Sequence, residues 1–344
     1  MKNVLEWLEA TVAKYPDKPA FSDTESSITF RQVYDIARNT GAYLVEQLGV
    51  DRTPVAVFAG RKMVTPAYFL GVVYAGRPYA PIDASLPDKR IEKILENLCP
   101  GAIVADRESR EHVESIVDEL AKAEGFDRPQ IFIAEDISRF EQVACADSNC
   151  KISESAGDAV TDSENDTDGG VVAGCAGKTD DSSRDMLAVV RRQMSMTDPL
   201  YIIYTSGSTG NPKGVMTSHL SLMTYINAYC DVMHIEESDV LGNQSPLDYI
   251  AAIRDIYLPL KTGCSTAIIP KEYFMEPNAL FDYMNDKKVS SVGWSVSAFT
   301  ILTSLGAFEE VGLKSLRKIC FSGSVMPCSC LLYTSPSPRD GATS

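Results

Sequence analysis

The sequence predicts an α/β protein in which largely parallel sheets are flanked by helices. Seven short apolar runs indicate strands, and helical patterns separate several of them. Strands that alternate with helices favour parallel pairing, because each helix carries the chain back to the edge from which the last strand started. The predicted strands are Val55–Ala59, Gly101–Ala105, Gln130–Ala134, Leu200–Tyr204, Cys264–Pro270, Val289–Trp294 and Arg317–Phe321.

The segments between these strands supply the helices. A helical pattern passes through Tyr68, Leu70 and Val73 after the first strand. Further helices are predicted at Ile91–Leu98, Leu220–Met233 and Ala279–Asn285. In sheets of this kind ligands bind beyond the carboxyl ends of the strands. Residues directly after a strand are therefore the first candidates for a functional site.

Composition narrows the class of protein. The chain has 344 residues, of which 44% are hydrophobic and 23% charged, as is usual for a globular domain. Its net charge of −15 argues against a nucleic-acid partner. No apolar run is long enough for a membrane helix or a signal peptide, and the nine cysteines lack metal-site spacing. We expect a cytoplasmic protein with free thiols, no metal-ligating cluster and no membrane partner.

Two segments depart from the strand–helix pattern. Residues 144–186 carry ten acidic and three basic residues and no aromatic ones. Such a segment buries too little apolar surface to offset its ordering entropy, so a disordered acidic insertion is predicted. Residues 330–344 begin with a stretch that matches the translation of a transposase sequencing adapter. We expect this tail to lie outside the fold, and the true protein to continue differently after residue 329.

The strand at Leu200–Tyr204 leads into the most informative motif, Tyr204-Thr-Ser-Gly-Ser-Thr-Gly-Asn-Pro-Lys-Gly214. Glycines allow the backbone N–H groups to approach an anion closely, and the hydroxyls add further donors. Lys213 adds a positive charge. The pattern therefore predicts a phosphate-binding loop. Its lysine does not have the spacing of a Walker loop, which argues against a P-loop kinase.

This motif resembles, almost residue for residue, the signature loop of the adenylate-forming enzymes, which include acyl-CoA synthetases and the adenylation domains of nonribosomal peptide synthetases. The resemblance implies that the loop holds the phosphates of ATP, with Mg²⁺ bridging them, and that Lys213 is catalytic. The implied ATP-binding residues are Thr205, Ser206, Gly207, Ser208, Thr209, Gly210, Lys213 and Gly214.

Further motifs follow in the order that this family has. Ser27–Tyr34 is similar to the early motif in which a strand leads into a helix, and Gly71–Asp83 is similar to the second motif. Val215–Leu222 resembles the helix start after the loop, where His219 is expected to pack rather than to catalyse. The resemblance implies an incomplete N-terminal AMP-binding domain. Its parts are 1–143 and 187–329, and the family's C-terminal lid domain is missing.

Asn243–Tyr257 resembles the section in which amino-acid-activating members carry an aspartate that pairs with the substrate's ammonium group. Ile250 stands at that position, and Asp248, two residues earlier, remains a candidate for the pocket. Arg254 and Asp255 could equally be a surface pair.

The last motifs of the chain resemble the wall of the acyl pocket and the turn near the adenine. Val292–Phe299 resembles the wall, with Trp294 placed either in the pocket or in the core. Lys318–Pro327 resembles the turn, which makes Ser322 and Gly323 candidates for the pocket.

The resemblance implies a reaction as well as a fold. In this family a carboxylate attacks the α-phosphate of ATP, pyrophosphate leaves, and a thiol of a carrier protein or CoA then displaces AMP. The section around Asn243–Tyr257 looks similar to D-alanine–carrier protein ligases, which favours a small amino acid as substrate. Two alternatives stay open, namely an acyl- or aryl-CoA ligase and a truncated, non-catalytic fragment.

Overall fold

The computed structural model describes residues 2–139, 182–206, 211–307 and 312–325, and every statement below refers to these residues. They form two six-stranded sheets with helices on their faces, as the strand–helix alternation predicts. Most of the predicted acidic insertion and the whole adapter-like tail lie outside the described residues. Within this part of the chain, no helix combines the length and the apolar character that spanning a bilayer requires.

The first sheet has the strand order β6-β5-β3-β4-β7-β8, and the second has the order β12-β11-β9-β10-β1-β2. Pairing is parallel throughout both sheets except at two edges, where β8 runs antiparallel to β7 and β2 antiparallel to β1. The strands are β1 (Pro19–Ser22), β2 (Ser27–Thr29), β3 (Val55–Phe58), β4 (Tyr79–Ile82), β5 (Ala102–Ala105), β6 (Gln130–Ile133), β7 (Pro199–Ser206), β8 (Pro212–Ser218), β9 (Val240–Asn243), β10 (Ser265–Ile268), β11 (Ser291–Ser295) and β12 (Lys318–Ser322).

The helices connect these strands and cover the sheets. They are α1 (Leu5–Lys14), α2 (Phe30–Leu48), α3 (Thr65–Tyr74), α4 (Asp88–Leu98), α5 (Arg110–Leu120), α6 (Ala134–Ile137), α7 (Ser182–Gln193), α8 (His219–Met233), α9 (Ile250–Thr262), α10 (Pro277–Asp286) and α11 (Val296–Ser304), together with a short 3-10 helix at Lys271–Met275. Each helix predicted from the sequence is present, with bounds that differ by a few residues.

Alternating burial along the strands places the sheets between helical layers. On β3, Val55 and Val57 face the main core, whereas Ala56 and Phe58 face a second core that includes residues of α4 and α5. Strand side chains alternate between faces, so a strand buried on both sides needs a helical layer on each. The main core also takes residues from β9 and α9, so it lies between the two sheets. A third core joins the second sheet to α10 and α11.

Helices α2 and α3 pack closely because each has a glycine at the contact. A Cβ added to Gly41 would lie 2.5 Å from the Cβ of Tyr74, and one added to Gly71 would lie 2.5 Å from the Cβ of Thr40. Helix α2 also begins with a complete capping box, in which the Thr29 hydroxyl and the Gln32 side chain bond to each other's backbone N–H. The early motif therefore does lead from a strand, β2, into a helix.

The second part of the domain starts earlier than the sequence predicts. Helix α7 begins at Ser182, so the last five residues of the predicted insertion belong to a helix. The physical reason is an apolar face along α7, where Leu187 and Val190 are buried and Met186 packs against the main core. The predicted boundary at Met186 assigned residues 182–186 to the acidic insertion that precedes them.

Candidate functional site

The predicted phosphate loop lies at the tip of an antiparallel hairpin. Strands β7 and β8 pair through the register Thr205↔Lys213 and Ser206↔Pro212, which leaves residues 207–211 as the connection. On its other side β7 pairs in parallel with β4, so β7 ends, at Ser206, on the carboxyl edge of the first sheet. This is the edge where ligands bind in sheets of this kind.

The hairpin corrects the extent of the predicted loop. The loop was expected to begin at Thr205, but β7 continues through Ser206 and β8 already starts at Pro212. Thr205, Ser206, Lys213 and Gly214 are therefore strand residues that flank the tip. The reason is that these residues pair with the antiparallel partner strand, although they lack the apolar pattern that predicts a strand. Gly207, Ser208, Thr209 and Gly210 lie outside the described residues.

Gly214 is required by a close approach of the two hairpin strands. A Cβ at this position would lie 2.9 Å from Cγ2 of Ile202 and 3.1 Å from Cζ of Tyr204. The hairpin is also tied to α4, because the Tyr204 hydroxyl donates to Oδ1 of Asn97 over 2.9 Å. Lys213 is exposed on β8.

A cavity of about 580 Å³ opens at the carboxyl ends of strands from both sheets. Segments that follow β1, β3, β4 and β10 form its walls, together with the turn that precedes α9. Its lining includes Asp23, Glu25, Arg61, Lys62, Asp83, Glu108, Asp248, Lys271 and Glu272. Because β4 and β7 are parallel neighbours in one sheet, the cavity opens on the edge where β7 ends.

Asp248, a predicted pocket residue, does line this cavity. Burial raises the pKa of its carboxyl group, and the nearby charge of Asp83 raises it further. The two carboxylates thus make one wall of the cavity acidic. Ile250 lies at the start of α9 with 48% of its surface exposed. It offers no charge to a substrate ammonium group.

Trp294 lies in the core of the second sheet rather than on the cavity. It is 2% exposed, its Nε1 donates to the carbonyl oxygen of Gly242 over 2.9 Å, and its ring contacts Phe274 and Phe299. The sequence left core and pocket as equal alternatives for this residue, and the described contacts are those of a core residue. It is not among the residues that line the cavity described above.

Ser322 and Gly323 lie where β12 ends. Ser322 is exposed and pairs with Ser295 of β11, and Gly323 has a φ of 103°, a conformation that favours glycine. Neither residue lines the cavity. The structure therefore brings Asp248 to the cavity and Lys213 to the hairpin, but places Trp294, Ser322 and Gly323 on β11, β12 and the turn that follows.

Arg254 and Asp255 form a buried ion pair, which corrects their interpretation as a surface pair. Nε of Arg254 donates to Oδ1 of Asp255 over 2.8 Å, and Nη2 donates to the carbonyl oxygen of Gly293 over 2.6 Å. Although burial opposes the charge, Asp255 raises the pKa of Arg254 above its usual range. A Cβ at position 293 would lie 2.3 Å from Cζ of Arg254, so Gly293 makes room for the guanidinium.

His219 packs inside the protein, as its position at a helix start predicts. Only 1% of its surface is exposed, and its Nδ1 accepts a bond from the backbone N–H of Val4 over 3.4 Å. Burial lowers the pKa of His219 to about 4. The imidazole is therefore neutral at pH 7 and holds α8 against the N-terminal segment.

Sequence reasoning missed Arg61, which lies three residues beyond β3 and lines the cavity. Its Nη2 donates to both the carbonyl oxygen and the side-chain oxygen of Asn243, over 2.9 and 3.1 Å. The available signal was its place directly after a buried parallel strand, where functional residues of such sheets concentrate.

The hairpin, the cavity and the layered sheets can now be compared with known proteins. A profile described as AMP-binding enzyme matches residues 8–332. The chain belongs to the AMP-binding enzyme family. Among curated proteins it is similar to D-alanine--D-alanyl carrier protein ligases. It is 25% identical to the one from Bacillus cereus (strain AH187) over 325 residues, which are 94% of this chain and 54% of that protein.

A second ligase of this kind, from Bacillus licheniformis, is 26% identical over 324 residues, which are 93% of this chain and 54% of that protein. The chain thus spans about half the length of the curated relatives that it matches. Among solved structures, VinN superposes with a TM-score of 0.70 at 16% identity, covering 97% of this chain and 71% of VinN. The nonribosomal peptide synthetase FmoA3 (S1046A) gives 0.70 at 20% identity, covering 96% of this chain and 29% of that one. These two likenesses show the fold.

Proposed function

We propose that this chain belongs to an enzyme that activates a small carboxylic acid with ATP and forms an acyl-adenylate. The observation that carries the proposal is the β7–β8 hairpin. The end of β7 and the exposed Lys213 on β8 lie at the carboxyl edge of a parallel sheet, the edge on which the cavity opens, and a Ser/Thr/Gly-rich segment connects the two strands. Membership of the AMP-binding family supports the nucleotide.

In this proposal the hairpin binds the departing pyrophosphate. Backbone N–H groups and hydroxyls of residues 205–210 donate to phosphate oxygens, and the ammonium group of Lys213 neutralises the charge that develops there. Transfer of this type is accelerated chiefly by positioning and charge neutralisation. Mg²⁺, when bound, would supply further positive charge to the departing pyrophosphate. The described residues contain no group of three or more His, Cys, Asp or Glu side chains that could hold it alone.

We further propose an amino acid as the substrate and a phosphopantetheinyl carrier protein as the thiol partner, in the cytoplasm. The similarity to D-alanine--D-alanyl carrier protein ligases supports both. Asp248 supplies a carboxylate at the cavity wall that can attract an ammonium group. Trp294, Ser322 and Gly323 stay in the proposal as residues of the acyl and adenine region, with Trp294 supporting the wall from the core.

A second function is favoured by Ile250. Where amino-acid-activating relatives carry an aspartate, this chain carries an exposed apolar residue. An acyl- or aryl-CoA ligase, which has no ammonium group to pair with, would tolerate that residue. A third possibility is that the present chain binds nucleotide without turning it over, and membership of the AMP-binding family supports the nucleotide.

Pyrophosphate exchange over a panel of amino acids and aliphatic and aryl acids, on the full-length protein, tests the proposal. Exchange with a small amino acid is expected. Exchange that occurs only with acids lacking an amino group would instead favour the CoA ligase. Absence of exchange with every acid would remove the proposed reaction. Calorimetric titration of Mg-ATP into the present chain separates a nucleotide-binding fragment from one that does not bind.

A further inference from the structure

Helix α4 holds the β7–β8 hairpin on both sides of its connection. On β7, the hydroxyl of Tyr204 donates to Oδ1 of Asn97. One helical turn earlier, Nζ of Lys93 donates to Oδ1 of Asn211 over 3.2 Å. Asn211 is the last residue before β8, which is paired with β7 up to the end of that strand. Lys93 therefore reaches the hairpin at the edge of the sheet where β7 ends.

Lys93 is directed at the hairpin rather than along its own helix. Glu96 lies three residues later on α4, a spacing at which oppositely charged side chains can pair on a helix. Within the part of the chain that the structure describes, the ammonium group of Lys93 nevertheless bonds to Asn211 and forms no ion pair. Both side chains are exposed, and an exposed contact of this kind adds little to the stability of the whole protein. What the bond fixes is the location of Asn211.

The segment from Asn211 to Lys213 is stiff. The ring of Pro212 fixes its φ, and the residue before a proline is restricted to extended backbone. A displacement of Asn211 is therefore passed on to Lys213 and is not absorbed between them.

Lys213 and α4 lie on opposite faces of the hairpin. Tyr204 packs against the core to which α4 contributes. Lys213 is paired with Thr205, the neighbour of Tyr204 on β7. Since successive strand side chains point to opposite faces and paired residues share a face, Lys213 lies on the face away from α4. The helix thus holds the hairpin from behind and leaves the ammonium group of Lys213 uncovered.

We propose that Lys93 is a positioning residue, which fixes Asn211 and thereby holds the ammonium group of Lys213 in place for the departing pyrophosphate. The inference rests on the proposed adenylation and adds to it a residue of α4, outside the loop motif. Without the bond, the segment before Lys213 is held by the pairing of β7 with β8 alone, and the ammonium group samples more positions. A small misplacement of a group that neutralises developing charge lowers the rate of transfer.

The first measurement is backbone amide hydrogen exchange of this chain without nucleotide. Lys93→Met removes the donor and keeps a long side chain, and Lys93→Arg keeps a charged donor. Lys261→Met is the matched control, because Lys261 also donates to an asparagine, Asn227, but from the last turn of α9, which leads into the amino end of β10. Lys93→Met is expected to speed exchange of the Thr205 and Lys213 amides about three- to tenfold, since a local bond is lost.

The amides of the central strand β3 should keep their rates in every variant, because the fold as a whole is not weakened. Lys93→Arg and Lys261→Met should leave the hairpin rates within about twofold of the wild type. Equal hairpin rates in the wild type and Lys93→Met would overturn the proposal. An equal acceleration in β3 and the hairpin would overturn it too, because it would reveal a general loss of stability.

The second measurement is amino-acid-dependent pyrophosphate exchange by the full-length protein. Lys93→Met should lower kcat about three- to tenfold and leave the KM for the acid within about twofold, because the hairpin is proposed to bind the pyrophosphate. In a Lys213→Ala background the same substitution should lower the rate by less than about twofold, since no ammonium group is left to position. A full loss in that background would overturn the proposal, as would an unchanged kcat in Lys93→Met. Absence of exchange in the wild type would instead remove the proposed reaction, and this inference with it.

Discussion

His219 is a neutral buried imidazole, and this makes the stability of the protein depend on pH. Its pKa of about 4 in the folded state lies below the usual histidine value of 6.5, because burial disfavours the charged form. Stability that depends on the neutral form is complete above pH 6.5 and is lost as the pH falls towards 4.

We predict that lowering the pH from 7 to 5 reduces the free energy of unfolding by about 2 kcal/mol through this residue alone. In His219→Asn, whose side-chain oxygen can still accept from Val4, that part of the loss should vanish. Urea unfolding at both pH values measures the difference. An equal loss in wild type and variant would exclude His219 as its source.

Arg254 and Asp255 stabilise each other in a place where neither charge is tolerated alone. Removing one partner of a buried pair leaves an uncompensated charge and typically costs 3–5 kcal/mol. We predict a loss of about 3 kcal/mol in the free energy of unfolding for Asp255→Ala. The double variant Arg254→Met/Asp255→Leu should lose less than the single one, because it leaves no buried charge. Chemical denaturation of the wild type, the single variant and the double variant measures the three free energies of unfolding. A larger loss in the double variant than in the single one would contradict this expectation.

The same residues mark the limit of what the sequence could predict. Arg254 and Asp255 are adjacent in sequence, and two adjacent charges usually indicate an exposed surface. Burial of both depends on Gly293, which is about forty residues away and leaves space for the guanidinium. His219 was predicted correctly because its packing follows from its place at the start of an apolar helix.

At the scale of elements, the hairpin depends on a contact that only glycine permits. We predict that Gly214→Ala destabilises the protein by about 1–2 kcal/mol, since its Cβ would overlap Ile202 and Tyr204. Val215→Ala, at an exposed neighbour on the same strand, is the control and should cost clearly less. Thermal or urea unfolding gives both values. Equal losses of stability in the two variants would mean that the Cβ added at position 214 is accommodated without cost.

A hydrogen bond between two tyrosines joins the first sheet to helix α9. Tyr79 on β4 and Tyr257 on α9 are fully buried, and their hydroxyls lie 3.1 Å apart. We predict that Tyr79→Phe costs about 1–2 kcal/mol, because it leaves the Tyr257 hydroxyl unsatisfied. Tyr79→Phe/Tyr257→Phe should recover part of that loss. A double-mutant cycle by urea denaturation measures the coupling, and purely additive losses would contradict it.

Element prediction succeeded where apolar periodicity was strong and failed where pairing alone decides. The seven predicted strands are all present, because each contains a short apolar run; most are buried by helices, whereas β6 and β12, at sheet edges, are half-buried or exposed. Strand β8 was not predicted, since it is an edge strand with mostly exposed residues and contains Pro212 and Gly214. Strand β9 was not predicted either, because it ends in Gly242 and Asn243, two residue types that are typical of turns. Their strand form depends on partners distant in sequence.

At the scale of the molecule, the proposed function depends on two features that the fold brings to one edge. Strands β4 and β7 are separated by more than a hundred residues, yet they are neighbours in the first sheet. The cavity wall after β4 and the hairpin after β7 therefore open on the same side. The loop motif could be recognised from local sequence, whereas the cavity could not, because its walls come from segments distributed along the chain.

Lys213 connects this arrangement to the proposed reaction. If its ammonium group neutralises the departing pyrophosphate, Lys213→Ala in the full-length protein should lower the rate of amino-acid-dependent pyrophosphate exchange. A charge-assisted contact of about 1.5–3 kcal/mol corresponds to a loss of roughly ten- to a hundredfold. Lys89→Ala, which removes an exposed lysine from α4, is the matched control and should leave the rate within about twofold. Because Lys213 is exposed on an edge strand, the variant should unfold at the wild-type denaturant concentration. An unchanged exchange rate in Lys213→Ala would remove this residue from the mechanism, and the hairpin would then have to act through its backbone and hydroxyl donors alone.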